Sequence, residues 1–238
     1  MPRSLREVYE SIRYEWSALN GDEFKVQARL LPIHKMQQLV FFNPCYVVDC
    51  LHNRSVRSRQ FCIEQLHAED VLDIEVVRGS IVETVKIMFE EGRSYEETPQ
   101  YQSMLKAVLA GGPLAKERGA YWCRSPEDVK CYFNSLIEAY RKISLEGYKT
   151  QAELLREGSR LVRKRDDEIK LYVDSKGKLV LGGGGTHRLC IAKSLRLTKV
   201  PGLVRGVDVR WALKVYREMG SKRLDYSLHQ ALASNAWV

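Results

Sequence analysis

Leu179-Val180-Leu181-Gly182-Gly183-Gly184-Gly185-Thr186-His187-Arg188, with residues 189–201 behind it, decides how this chain is read. An apolar strand enters four consecutive glycines. A polar and cationic triplet follows, and then a short amphipathic helix. Backbone N–H groups exposed in a glycine turn and at a helix N-terminus attract anions. His187 and Arg188 add side-chain donors at the same place. The stretch predicts a phosphate pocket built from Gly183, Gly184, Gly185, Thr186, His187 and Arg188, with Lys193, further along the helix, in reach of the same anion. A solvated helix lysine is an equally good account of Lys193. His187 has a structural alternative too, as a side chain that caps or packs beside the turn.

Two familiar phosphate motifs do not fit. A P-loop requires lysine directly after its last glycine, then Ser or Thr; Thr186 and His187 stand there. A dinucleotide fingerprint requires a third spaced glycine, and His187 takes that position.

Upstream, residues 168–181 predict a hairpin: two apolar-rich strands around a turn at Gly177. Downstream, residues 200–204 predict a strand, and 209–219 and 224–233 predict closing helices. Ser125-Pro126-Glu127-Asp128 combines a cap, a proline at the first helical position and two acids at the positive end of the dipole. Its helix carries Val129, Phe133, Leu136, Ile137, Tyr140 and Ile143 on one stripe and stops at Gly147. Thr98-Pro99 starts another helix, ended by Gly111-Gly112. Ser80-Ile81-Val82-Glu83 has the capping-box pattern, with Gly92 closing that run. Residues 4–19 have helical spacing, residues 39–51 predict one or two strands broken at Asn43-Pro44, and residues 71–77 a further strand.

The chain has 238 residues, enough for a real core. No apolar run is long enough to span a bilayer, and Met1-Pro2-Arg3-Ser4-Leu5-Arg6-Glu7 lacks the apolar core of a secretory signal. A cytoplasmic protein with no membrane partner is expected. The six cysteines form no C-x-x-C pair, which fits reduced, mostly buried thiols. The net charge of +8 concentrates in residues 160–170 and 193–223. Such an excess suits phosphorylated ligands, nucleic acid or an acidic partner, and equally a solvated basic surface.

Gly184-Gly185-Thr186-His187-Arg188-Leu189, then Ala192-Lys193-Ser194-Leu195 and Val200-Pro201, resembles the signature segment of the ParB/sulfiredoxin superfamily. The helix from Glu127, the turn Glu146-Gly147-Tyr148 and Thr150-Gln151-Ala152-Glu153-Leu154 resemble what precedes that family's hairpin. The resemblance spans residues 125–207. It implies an α+β fold: a small mixed sheet with flanking helices, plus a mostly helical N-terminal region. Three segments are expected: residues 1–120, mostly helical with a few strands; a nucleotide-binding core over 121–207; and C-terminal helices over 208–238.

The resemblance further implies ATP or another nucleoside triphosphate as cofactor, with magnesium. Its phosphates would lie on residues 184–188. Thr186 stands where sulfiredoxins have their catalytic cysteine, and glycine at 184 replaces the acid usual in the related kinases. An ATP-dependent phosphotransferase acting on a small hydroxylated molecule is the first expectation. His187 would serve the chemistry, and Asp128, Glu153 or Glu168 would be the general base, although each acid also suits a cap or a surface. The second is a DNA-associated nucleotide-binding module without small-molecule catalysis, with Arg163-Lys164-Arg165 on a phosphate backbone. The third is a relative with no activity. Oligomeric state is left open.

Overall fold

The computed structural model describes residues 24–52 except 25, 26 and 29, residues 61–63, 66, 70–111, 123–158 and 167–234. The helix expected over residues 4–19 and the triplet Arg163-Lys164-Arg165 lie outside the described residues.

Seven strands among the described residues form one mixed sheet. They are β1 (Gln38–Phe42), β2 (Asp49–Leu51), β3 (Cys62–Ile63), β4 (Val71–Asp73), β5 (Ile169–Val173), β6 (Leu179–Leu181) and β7 (Val200–Asp208). Their order is β1-β7-β5-β6-β2-β4, with β3 also paired to β7. β5 and β6 form the expected antiparallel hairpin, Leu171 facing Leu181 and Val173 facing Leu179. β7 lies parallel to β5 and antiparallel to β1. Flanked on both edges, it is buried along almost its whole length, which explains why Val200 to Asp208 has no polar alternation.

Eight helices are described: α1 (Ile33–Met36), α2 (Ile74–Val85), α3 (Pro99–Leu109), α4 (Pro126–Glu146), α5 (Gln151–Arg156), α6 (Thr186–Ser194), α7 (Val209–Met219) and α8 (Leu224–Ser234). The α+β class therefore holds. The starts of α3 and α4 fall where their Thr-Pro and Ser-Pro signals put them, with Thr98 and Ser125 as caps. α2 starts earlier than the pattern at Ser80. Asp73 Oδ1 accepts from the Glu75 N–H at 2.6 Å and caps the helix there, so β4 ends at Asp73 and Ser80 lies inside the helix.

The first two expected segments share one sheet. Strands from residues 38–73 pair with strands from residues 169–208, so the sheet does not separate near residue 120. One apolar cluster joins the sheet to α7 and α8; a second joins α2, α3 and α4. α6 lies between them. Leu189 and Ala192 enter the first cluster, Cys190 and Ile191 the second. Four consecutive buried residues cannot all lie on one helical face, so this helix is clamped on two sides. The clamp fixes the loop that feeds it.

Candidate functional site

The loop is built by contact with β5. Gly182 N–H donates to the Lys170 carbonyl at 2.7 Å, and Lys170 N–H donates to the Gly184 carbonyl at 3.1 Å. Gly185 then turns the chain with φ +89° and serves as the cap of α6. A Cβ on Gly185 would stand 2.7 Å from Ile169 Cα, so only glycine lets the loop lie this close to the strand. The first intrahelical bond is Leu189 N–H to the Gly185 carbonyl, 2.9 Å.

These bonds leave a row of donors unused. Among the described residues, no acceptor meets the N–H groups of Gly183, Gly184, Gly185, Thr186, His187 or Arg188. The last three are the first-turn amides, which point out of the helix end with the positive pole of its dipole. Beside them lies Lys170. Its Cδ and Nζ are 3.4 and 3.5 Å from where a Cβ on Gly184 would be, and its ammonium has no acid or carbonyl partner among the described residues. Lys170 alternates outward between buried Ile169 and Leu171, which brings it over the loop. Nothing near it in sequence marks it as a ligand; strand alternation next to the glycine run is the signal that finds it.

The expected side chains take other directions. His187 turns toward the helical half: its Nε2 is 2.9 Å from Gln100 Oε1 and 3.3 Å from the Tyr132 hydroxyl. A neutral ring with its proton on Nε2 donates to the Gln100 carbonyl. Burial pulls its pKa down to about 4 from 6.5, so at neutral pH it carries no charge for an anion. Lys193 Nζ donates to the Val47 carbonyl at 2.8 Å and ties α6 to the segment after β1. Arg188 Nη2 donates to the Asp167 carbonyl and lies 4.0 Å from that residue's carboxylate, while Nη1 is buried without a partner.

The three acids differ as sharply. Asp128 Oδ2 accepts from the N–H of Arg124 at 2.8 Å and of Ser125 at 3.0 Å, completing a capping box. Those bonds, the Arg124 N–H first, hold its carboxyl below the usual range. Glu153 does the same for α5, accepting from the Thr150 N–H and hydroxyl, both at 2.7 Å, and its pKa is lowered by the same partners, the hydroxyl first. Glu168 is buried. Its Oε1 accepts from the Gln151 N–H, and its Oε2 has no partner. Burial raises its pKa, against the Gln151 N–H and the Arg188 charge. The Tyr148 hydroxyl, also buried, lies beside the same guanidinium: burial pushes it up to about 12 while the Arg188 charge pulls down.

The loop thus brings together the glycines, Thr186, the Arg188 backbone and Lys170, while Glu168 lies near enough to the Arg188 guanidinium to feel its charge. It does not bring in the His187 ring or the Lys193 ammonium. Among the described residues no group of three or more His, Cys, Asp or Glu side chains is arranged to hold a metal ion, and none of the described helices is long and apolar enough to cross a membrane. No protein-family profile, curated protein or solved structure matches this chain.

Proposed function

We propose that the loop over residues 183–188 binds the phosphate chain of a nucleoside triphosphate. One observation carries this: six consecutive backbone N–H donors that meet no acceptor among the described residues, beside a lysine ammonium with no partner among them. Amides at a helix N-terminus suit phosphate oxygens, and a nearby cation adds the Coulomb attraction. The resemblance to ParB/sulfiredoxin proteins, which hold a nucleotide at the matching turn, supports the same choice of ligand. Magnesium would arrive on the triphosphate. The backbone and Lys170 do the holding; Arg188 is a brace, tied to Asp167.

Transfer of the terminal phosphoryl group to a small hydroxylated molecule extends this reading. Phosphoryl transfer depends on positioning and charge stabilisation more than on covalent chemistry from the protein. It also needs a carboxylate able to take the hydroxyl proton. Asp128 and Glu153 are held in capping boxes, which leaves Glu168, whose Oε2 is unpartnered and whose pKa is raised.

Calorimetric titration with ATP and magnesium tests the binding. Lys170→Met should weaken affinity about tenfold, the value of one charge-assisted contact. Gly184→Asp, which sets a carboxylate against the same donors, should weaken it further, and Lys193→Met should leave it unchanged. Equal affinity in the wild type, Lys170→Met and Gly184→Asp would refute the assignment. Glu168→Gln should keep ATP affinity and lose substrate-dependent turnover.

A further inference from the structure

The helical half carries a cavity that shares no residue with the glycine loop. This groove, about 740 Å³, lies between the π-helical turn Lys86–Glu90 and the C-terminal end of α4. Its volume falls in the range of small-molecule sites. Its apolar surface comes from Met88, Phe89, Ile137 and Tyr140.

Two features single this groove out. The first is the π turn. Glu91 N–H reaches the Lys86 carbonyl and Arg93 N–H the Ile87 carbonyl, both at 3.0 Å. The widened turn sets Phe89 flat on Tyr140, with centroids 4.0 Å apart and planes within 1°. Such turns are rare and recur at functional sites. The second is charge. Arg93 is neutralised by Glu97 at 2.6 Å and Glu91 at 3.2 Å. Arg141, on the opposite wall, has no acid or hydrogen-bond acceptor among the described residues. An apolar surface with one unanswered cation is complementary to a ligand of the opposite design.

We propose that this groove binds a small amphipathic monoanion: an aryl or alkyl body on Phe89, Tyr140, Met88 and Ile137, with one carboxylate or sulfonate on Arg141. A single head group follows from the single free guanidinium, and small size from the volume.

The probe is 8-anilinonaphthalene-1-sulfonate, titrated against the full chain and followed by fluorescence. Saturable enhancement at one site per chain is expected, displaced by decanoate and not by decanol. Arg141→Glu should weaken it about tenfold. Arg141 is exposed, so the variant should melt with the wild type; if it melts lower, Arg141→Gln repeats the measurement without charge reversal. Lys170→Met separates this groove from the glycine loop and should leave the signal unchanged. Enhancement that withstands both Arg141 variants, that decanol displaces equally, or that Lys170→Met abolishes would overturn the proposal.

Discussion

Gly185→Ala should be the most damaging single methyl group that can be added to the loop. The residue has φ +89°, where an L side chain costs about 1 kcal/mol. Its new Cβ would stand 2.7 Å from Ile169 Cα, 3.1 Å from Cγ1 and 3.2 Å from Cβ. The nearest of these atoms is backbone in a strand paired on both edges, and Ile169 is fully buried. It cannot swing aside as a flexible side chain would. Overpacking of this kind costs about 1–3 kcal/mol. The two effects together give a loss of roughly 2–4 kcal/mol, or a melting temperature lower by roughly 5–15 °C for a chain of this size.

The neighbouring glycines supply the controls. Neither Gly183 nor Gly184 has a left-handed φ. A Cβ on Gly183 meets nothing within 4 Å, and one on Gly184 meets only the Lys170 side chain at 3.4 Å and beyond. Alanine at either should change stability by less than about 0.5 kcal/mol. Urea denaturation of the three variants decides the matter. If Gly185→Ala unfolds at the same midpoint as Gly184→Ala, the loop is not pressed on β5 as described, and the placement of its free amides loses its basis.

Two further outcomes follow. His187 holds its proton only near pH 4 in the folded chain but near 6.5 when unfolded, so the unfolded state binds more protons between those values. Stability should therefore fall as pH drops through that window, by up to about 1.4 kcal/mol per unit from this one group. His187→Gln should remove that share of the slope in urea melts recorded from pH 7 to 4, and an unaltered slope would show a solvated ring. Arg78 is buried with Nε and Nη1 unpaired; Arg78→Met should raise stability by about 1–3 kcal/mol, and a lower urea midpoint would show that the guanidinium has a partner.

Local chemistry in the chain announces local structure here, and little else. Ser125-Pro126 with Asp128, Thr98-Pro99 and the Gly177 turn each settle a boundary within a few residues, because the hydrogen bonds they make are themselves local. The glycine run before α6 is legible for the same reason. Capping also misleads where two candidates compete: Asp73 captures the start of α2 seven residues before Ser80, and no property of Ser80 reveals that. Sheet order is harder still. β2 beside β6 and β1 beside β7 join residues more than a hundred positions apart, and the apolar composition of residues 39–51 is compatible with several neighbours.

Side-chain direction at the site is where local reading stops. His187 stands at a helix start beside a phosphate-like loop, and its neighbours in sequence argue for an anion ligand. Its orientation is decided by Gln100 and Tyr132, 87 and 55 residues away. Those two belong to the helical half, so the imidazole is a strut between that half and α6. Lys193 is a strut of the same kind, to Val47. The cation beside the loop comes instead from the strand across from it, through the outward alternation that places Lys170 over Gly184. The anion-binding capacity of the motif therefore resides in backbone geometry. That geometry survives only while α6 is clamped from both sides and Gly185 lies against Ile169.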